Sequence, residues 1–397
     1  MPELSPEQRV HAFLYGTPEF DGAYRHWDHQ VLPHWTKAVN QQHPTVGTRF
    51  RPPRELHSPF YPLVGPYSSS DPATVRRQLL ELKAAGVGVV AASWWGPSWR
   101  NGSTDSQGVS TDAALPLLLR VAEEVGVEVA FHLEPYPGRS AATTREDLAY
   151  LARRVGASPA VLRVGGLPLY YVYDSYHIPP QDWSRLLTPG GALSLRGTEA
   201  DGLFIGLWLN RDDGDSQLLP GGFDGFYTYF ASDAVSYGAD PRNWAGLSSW
   251  AQQHGKLFIA SVGPGYDDTR IRPWNAAATR PRQGGAVYRR SWDAALAVQP
   301  WAVSITSYNE WGEGTQIEPA RVFGDTSGSS SSSGGGSSGG SSGSTEYETY
   351  GATAGQDEWL YLNLTLQYSQ LLAQWQGRGQ QQGGTPQAPG AGTHSEL

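Results

Sequence analysis

Residues 302–316 read AVSITSYNEWGEGTQ, and this stretch joins a predicted strand to a candidate catalytic turn. Its first five residues form a short, apolar, β-branched run, which predicts a buried strand. Glu310 and Glu313 follow, three residues apart, where the strand gives way to a turn. If residues 310–313 form one helical or tight turn, both side chains point to the same side. The stretch therefore predicts two neighbouring carboxylates at the end of a buried strand.

Seven further apolar runs precede this strand, and most are followed by a helix-like segment. The eight runs cover residues 10–15, 87–94, 127–132, 169–173, 202–207, 223–229, 257–262 and 302–306. Alternation of strands and helices predicts an α/β fold with a parallel sheet, and eight units predict a closed (β/α)₈ TIM barrel. The alternative is a doubly wound open sheet, which calls for a Gly-rich phosphate turn after the first strand. The sequence LYGTP at 14–18 is not such a turn.

Four segments between the runs carry helix signals. Asp71 is a candidate N-cap for the first, Thr111 or Asp112 opens the second, Thr143 or Thr144 opens the third, and residues 243–254 form the fourth.

The carboxyl-terminal part of the chain changes composition twice. A Ser/Gly-rich stretch cannot bury apolar surface, so we expect a disordered loop insertion before the last helix. Apolar residues then recur at helical spacing from Leu360 to Trp375, which predicts the last barrel helix over 357–376. The expected organisation is a catalytic barrel over 1–325, the insertion over 326–345, the last helix region over 346–376 and a disordered tail over 377–397.

Composition excludes several classes of function. The 397 residues carry a formal charge of -9 and no Lys/Arg cluster, so nucleic acid and anionic membranes are poor partners. The absence of cysteine excludes a disulfide framework, a thiolate metal site and a Cys nucleophile. No apolar stretch reaches the roughly 18 residues of a membrane span, and the amino-terminal sequence MPELSP lacks the features of a signal peptide. The 15 Trp and 20 Tyr residues favour sugar binding, although large cores also use aromatic residues.

Aromatic and acidic residues cluster at the predicted strand ends, where TIM barrels carry their chemistry. An isolated Glu-x-x-Glu pair is also common in solvated turns, but this aromatic rim favours an oligosaccharide site. His132, Tyr171 and Tyr173 could equally fill the barrel interior. Asp267-Asp268 is interpreted as a turn, because no ligand spacing accompanies it, so neither a metal nor another cofactor is expected. The candidate catalytic residues are Glu310 and Glu313, and the candidate substrate-binding residues are Tyr15, Trp94, Trp95, His132, Glu134, Tyr136, Tyr171, Tyr173, His177, Tyr229, Asn309 and Trp311.

Ordered blocks along the chain resemble glycoside hydrolase family 99, the endo-α-1,2-mannosidases. The resemblance extends over residues 8–320 and includes the final helix. The blocks are FDGAYRHWDH (20–29), SPFYPLVGPYSSSDP (58–72), FHLEPY (131–136), YYVYDSY (170–176), DGLFIGL (201–207), GFDGFYTYFAS (222–232), SVGPGYDDTRIRPWN (261–275) and ITSYNEWGEGTQIEPA (305–320).

The resemblance implies a retaining, metal-free, endo-acting hydrolase of α-mannosidic bonds on a TIM barrel. For eukaryotic relatives it implies a glucosylated high-mannose N-glycan as substrate, release of glucosyl-mannose, and the Golgi lumen as location. Glu310 matches the family's base, which deprotonates the mannose 2-hydroxyl to give a 1,2-anhydro sugar. Glu313 matches the general acid that then serves as base. Glu134, Tyr171, His177 and Tyr229 match cleft residues.

Three segments depart from the family pattern. Gly312 stands where the family commonly has His, and residues 95–109 differ from the animal enzymes. The first strand is shorter than the family's version, which is rich in Tyr and Trp. These departures motivate two alternatives, an inert glycan-binding barrel and an endo-hydrolase of an α-mannan. A monomer is expected.

Overall fold

Eight parallel strands close into a barrel in the computed structural model of the chain, which describes residues 2–17, 24–322, 346–351 and 358–381, with side chains up to residue 374. The ring closes where β3 pairs with β5, with Phe131 opposite Tyr170. A two-residue strand, β4, pairs antiparallel with β5 and stands outside the ring. The strands are β1 Val10–Leu14, β2 Val89–Trp94, β3 Glu128–Leu133, β4 Arg163–Val164, β5 Leu167–Val172, β6 Leu203–Leu207, β7 Gly225–Tyr227, β8 Leu257–Val262 and β9 Ala302–Ile305.

Helices cover the outside of this barrel and confirm the predicted (β/α)₈ class. The last of them contacts the first long helix, so the chain closes the outer layer as well as the barrel. The helices are α1 Lys37–Asn40, α2 Pro72–Ala84, α3 Leu115–Val125, α4 Ala141–Val155, α5 Pro180–Leu187, α6 Leu219–Gly221, α7 Trp244–His254, α8 Ala286–Val298 and α9 Leu360–Gln381.

The predicted start of α2 at Asp71 is correct, and the segment predicted to open at Thr111 or Asp112 begins with a 3₁₀ turn over Asp112–Ala114 before α3. Asp71 caps α2, and its carboxylate accepts the backbone N–H groups of Ala73 and Thr74. The predicted start of α4 at Thr143 or Thr144 is wrong, because Ser140 is the N-cap. Thr143 is the third residue of that helix, and its hydroxyl reaches back to the Ser140 backbone in a capping box.

Two further elements differ in their bounds from the sequence prediction. The run 223–229 contains only the three-residue strand β7, since neighbouring β6 pairs with residues 225–227 alone. The last helix begins at Leu360 and continues to Gln381, so the predicted span of 357–376 ends too early. The predicted insertion over 326–345 lies outside the described residues, and so does the predicted tail over 377–397 except for residues 377–381, which continue the last helix. Among the described residues, no helix is both long and apolar enough to cross a membrane.

The barrel interior is a layer of aromatic rings centred on Phe13 of β1. Its ring lies 4.6 Å from that of His132, 5.2 Å from that of Tyr171 and 5.7 Å from that of Tyr227. Side chains of successive strand residues alternate between faces, so the remaining strand positions pack outward against the helices. This filled interior lies beneath the functional side chains and supports them.

Candidate active site

The two glutamates lie on a tight turn just after β9. The Glu310 backbone N–H donates to Ser307 Oγ at 2.7 Å, and a 3₁₀ turn over Trp311–Glu313 follows. Gly314 ends the turn at φ +61°, a conformation that suits glycine. Glu310 stands just before this turn with non-helical angles of φ -81° and ψ 82°. Its charge still acts on the carboxyl group of Glu313, so the two side chains are near one another, as the sequence predicts.

The residues flanking Glu310 anchor this turn from below. Asn309 is fully buried, accepts the Tyr15 backbone N–H at 2.8 Å and donates to the Tyr15 carbonyl at 2.9 Å. Trp311 is also buried, and its indole N–H donates to Glu318 Oε2 at 2.9 Å. The same carboxylate accepts hydrogen bonds from Tyr67, Arg77 and Gln78. Asn309 and Trp311, predicted as substrate-binding residues, therefore use these side-chain groups to fix the turn.

Glu313 has a pKa far above that of an ordinary carboxyl group. Its side chain is 19% exposed, and Arg272 Nη1 lies 3.4 Å from its Oε1. Burial raises the pKa of Glu313 to about 8, reinforced by the charges of Glu310 and Asp268 and opposed by Arg272. Asp268 competes for that arginine, because its Oδ2 lies 3.0 Å from Arg272 Nη1. Glu313 is therefore a carboxylic acid that keeps its proton near neutral pH.

Glu310 faces a different set of charges. Burial raises its pKa, but the positive charges of His26 and Arg272 oppose the shift. His26 Nδ1 lies 3.2 Å from Asp105 Oδ2. Burial lowers the pKa of His26, yet the Asp105 hydrogen bond and the charges of Glu310 and Asp105 outweigh burial and raise it overall. The positive charge of protonated His26 thus favours the ionised form of Glu310, which is the form a base requires.

Three tyrosines lie near the pair. The hydroxyls of Tyr15 and Tyr229 are 2.5 Å apart, and the Tyr173 ring lies 4.7 Å from that of Tyr229. Burial raises the pKa of Tyr15, and the charges of Glu134, Glu310 and Glu313 raise it further. Tyr229 has φ +52° and donates its backbone N–H to Ser261 Oγ at 2.7 Å. Three predicted tyrosines and three predicted carboxylates therefore meet at one place.

A hydrogen-bonded chain supports Glu134, the third carboxylate. Glu134 Oε1 lies 2.8 Å from Ser93 Oγ and 2.9 Å from His132 Nδ1. The other His132 nitrogen lies 2.9 Å from the Tyr227 hydroxyl. His132 is thus a buried link between Glu134 and the interior layer, and its ring stacks on Tyr229 at 5.5 Å.

The remaining predicted residues lie in other surroundings. Tyr171 is fully buried in the interior layer, where its hydroxyl lies 2.6 Å from His11 Nδ1. Trp94 is buried, with its indole N–H donating to Asp112 at 3.1 Å. The Tyr136 hydroxyl donates to Asp147 of α4. The structure does not join these three side chains to the carboxylate pair by a direct contact.

Trp95 follows β2 and is partly exposed, and the His177 side chain is 56% exposed.

Sequence reasoning missed Arg272, Asp268, His26 and Asp105 as members of the site. Asp268 and Arg272 stand four residues apart, a spacing typical of an ion pair on a helical turn, and this signal was available in the sequence. The predicted turn at Asp267 is confirmed, because its Oδ1 accepts the Thr269 backbone N–H at 2.9 Å. Within the part of the chain that the structure describes, no three His, Asp or Glu side chains group to hold a metal ion.

An acid of raised pKa beside a carboxylate that a cation favours in its ionised form is the arrangement that glycosidic bond cleavage requires. Fold and site together define a glycoside hydrolase. A family model described as glycosyl hydrolase family 99 matches residues 7–326. The chain belongs to this family.

Known proteins similar to the chain carry consistent names. The human glycoprotein endo-alpha-1,2-mannosidase-like protein is 44% identical over 319 residues, which cover 78% of this chain and 68% of that protein. The rat glycoprotein endo-alpha-1,2-mannosidase is 43% identical with the same coverage. The structure of the GH99 endo-alpha-mannosidase from Bacteroides thetaiotaomicron matches with a TM-score of 0.77 and 36% identity, over 92% of this chain and 98% of that one.

Proposed function

We propose that the chain is an endo-α-1,2-mannosidase that acts on glucosylated high-mannose N-glycans and releases glucosyl-mannose. The observation that carries the proposal is the contrast between the two acids of the turn. Burial raises the pKa of both acids and Arg272 opposes the shift at both, but the charge of Glu310 helps to raise the pKa of Glu313 to about 8, whereas the charge of His26 holds down the pKa of Glu310. The relatives named endo-alpha-1,2-mannosidase support the choice of bond.

In the first step Glu310 takes the proton of the mannose 2-hydroxyl, and that oxygen attacks the anomeric carbon. Glu313 gives its proton to the leaving glycosidic oxygen as the bond to the anomeric carbon breaks. The product of this step is a 1,2-anhydro sugar. Arg272, 3.4 Å from Glu313, stabilises the carboxylate that remains after proton transfer.

In the second step Glu313 accepts a proton from water, and the water oxygen attacks the anomeric carbon. The anhydro ring opens, and its oxygen recovers the proton held by Glu310. Two inversions at the anomeric carbon give net retention. Glu310 bonds to a proton and never to carbon, because the sugar supplies its own nucleophile.

Tyr15, Tyr173, Tyr229 and Glu134 are proposed to bind the sugar beside this pair. Tyr15 lies near both glutamates, Tyr173 and Tyr229 lie near Glu313, and Glu134 lies near Tyr15 and Tyr229. Together they offer hydroxyl and carboxylate groups beside aromatic faces. Such mixed surfaces suit a pyranose ring, which has apolar faces and a polar edge. Golgi location stays a prediction from the resemblance.

Product analysis tests this function. A glucosylated high-mannose glycan is incubated with the unmodified chain, with Glu313→Gln and with Glu310→Gln, and released sugars are identified by mass and linkage. We expect glucosyl-mannose from the unmodified chain and at least a roughly thousandfold lower rate from either variant. Release of mannosyl-mannose from an α-mannan, with no reaction on the glucosylated glycan, would favour the mannan alternative. Glycan binding without any release would favour the inert barrel.

A further inference from the structure

Gly312 occupies the middle of the catalytic turn, and the space beside it is already filled. A Cβ at this position would lie 2.8 Å from His57 Cδ2, 3.1 Å from His57 Nε2 and 3.3 Å from Glu310 Oε1. Carbon atoms in favourable contact are about 3.5–4.0 Å apart. The His57 imidazole and the Glu310 carboxylate therefore border the same small volume, from which a side chain at position 312 is excluded.

His57 is held firmly in this position. The residue is fully buried, and its Nδ1 lies 3.2 Å from the Trp27 carbonyl oxygen. A carbonyl only accepts, so Nδ1 carries the proton and Nε2 presents a lone pair. The ring stacks on His29 at 5.5 Å and meets the edge of His26 at 5.2 Å.

His57 differs from neighbouring His26 in the direction of its pKa shift. Burial, with the charges of His26 and His29, lowers the pKa of His57 well below its usual range, so the ring is neutral. Its Nε2 is buried and has no hydrogen-bond partner among the described residues. A buried polar atom without a partner is rare and calls for an explanation. Here the atom is on the side of the ring that faces Gly312.

We propose that His57 is a positioning residue for Glu310, and that its ring replaces the side chain that Gly312 lacks. The inference rests on the proposed function, in which Glu310 must meet one particular hydroxyl. Glycine leaves a turn free to adopt other conformations, and it has no side chain against which neighbouring residues can pack. His57 lies in the irregular segment between α1 and α2. Its ring fills the space beside Gly312 and so limits the positions that the Glu310 carboxylate can adopt.

The reciprocal exchange of the two residues tests the proposal. Gly312→His places an imidazole where His57 already stands, so we expect kcat to fall at least roughly a hundredfold. His57→Gly removes the ring that packs beside Glu310, so we expect kcat to fall roughly tenfold or more, with KM within about threefold of the unmodified value. The double variant His57→Gly/Gly312→His should recover at least tenfold over Gly312→His, because one ring again fills one space. If the two losses simply multiply in the double variant, the residues act independently and the proposal is wrong.

A matched variant separates positioning from the Trp27 hydrogen bond. His57→Asn keeps an N–H near the Nδ1 position but removes the Cδ2–Nε2 edge that borders Gly312. We expect its kcat to match that of His57→Gly and its melting temperature to stay nearer to the unmodified value. Full activity in His57→Asn would reduce the role of His57 to the Trp27 bond and overturn the inference.

The unmodified chain and a structural readout keep this test apart from that of the proposed function. If the unmodified chain cleaves the glycan and the exchange brings no recovery, only the role of His57 fails. If the unmodified chain cleaves no glycan, the proposed function fails. Crystal structures of the unmodified chain and His57→Gly then decide the positioning role without activity. We expect one Glu310 conformer in the former and a displaced or divided one in the latter, and identical conformers would refute the proposal.

Discussion

Arg272 Nη1 lies 3.4 Å from Glu313 Oε1, yet the carboxyl group keeps a raised pKa. An arginine so close ordinarily lowers the pKa of a carboxyl group by one to three units. Burial, Glu310 and Asp268 outweigh it here. The arginine is also shared, since Asp268 lies nearer to the same nitrogen. Arg272 therefore limits the rise in the pKa of Glu313 without ionising the group at neutral pH.

The first prediction concerns the pH dependence of kcat. Glu313 must be protonated to act as acid, so kcat should fall as pH rises through about 8. Glu310 must be ionised to act as base, and burial raises its pKa, so the acid limb should lie above 4.5, the ordinary value for glutamate. Measurement of kcat from pH 4 to pH 10, with protein integrity checked at each pH, tests both limbs. A kcat that stays flat well above pH 8 would contradict the role of Glu313.

The second prediction concerns Arg272. Arg272→Met removes the charge that lowers the pKa of Glu313, so the alkaline limb of kcat should move upward by about one to three pH units. Arg272→Lys is the matched control, because it retains the charge, and its limb should stay near that of the unmodified chain. An unchanged limb in Arg272→Met would show that the arginine does not act on the acid.

The barrel and the closeness of Glu310 and Glu313 were predictable because both follow from local patterns. Buried parallel strands appear as short apolar runs, and residues 302–306 continue directly into the Glu310 turn. His26, His57 and Arg272 belong to irregular segments after β1 and β8, where no periodicity indicates which side chains meet. Their contacts with the turn cross more than 200 residues for His26 and His57, and such long-range contacts leave no local trace.

Side-chain direction is a second reason why prediction stopped short. Trp311 stands between the two glutamates in sequence and is therefore a candidate substrate-binding residue. The turn instead aims its indole at Glu318, in the layer beneath. Residue type and strand position therefore identified the neighbourhood of the site, whereas the tertiary fold determined which aromatic side chains face it.

The third prediction links Glu313 to stability. Its pKa is higher in the folded chain than the ordinary 4.5, so the folded state holds a proton that the unfolded state releases. The associated stability is fully present below about pH 4.5 and is lost as pH rises toward about 8, at up to about 1.4 kcal/mol per pH unit. Glu313→Gln cannot ionise and should therefore unfold at higher urea than the unmodified chain at pH 8, with the gap closing at pH 4.5. If the two proteins differ in urea stability by the same amount at pH 8 and at pH 4.5, ionisation of Glu313 is not the cause of the difference.

The fourth prediction tests the anchor beneath the turn. Trp311→Phe removes the indole N–H that donates at 2.9 Å to the buried Glu318 carboxylate. Loss of a hydrogen bond to a charged group costs about 1.5–3 kcal/mol in the free energy of unfolding. The turn that carries both glutamates also loses its support, so kcat should fall. Equilibrium urea unfolding and kcat are measured for the same preparations.

Trp99→Phe is the matched control for this anchor, because Trp99 is 61% exposed. Its free energy of unfolding should change by no more than about 0.5 kcal/mol. The two substitutions remove the same atoms, so a difference between them reports the surroundings and not the loss of an indole. Equal, small effects at both positions would mean that Tyr67, Arg77 and Gln78 alone satisfy Glu318. The turn would then be held by Asn309 and Ser307, and the indole of Trp311 would have no part in fixing the catalytic pair.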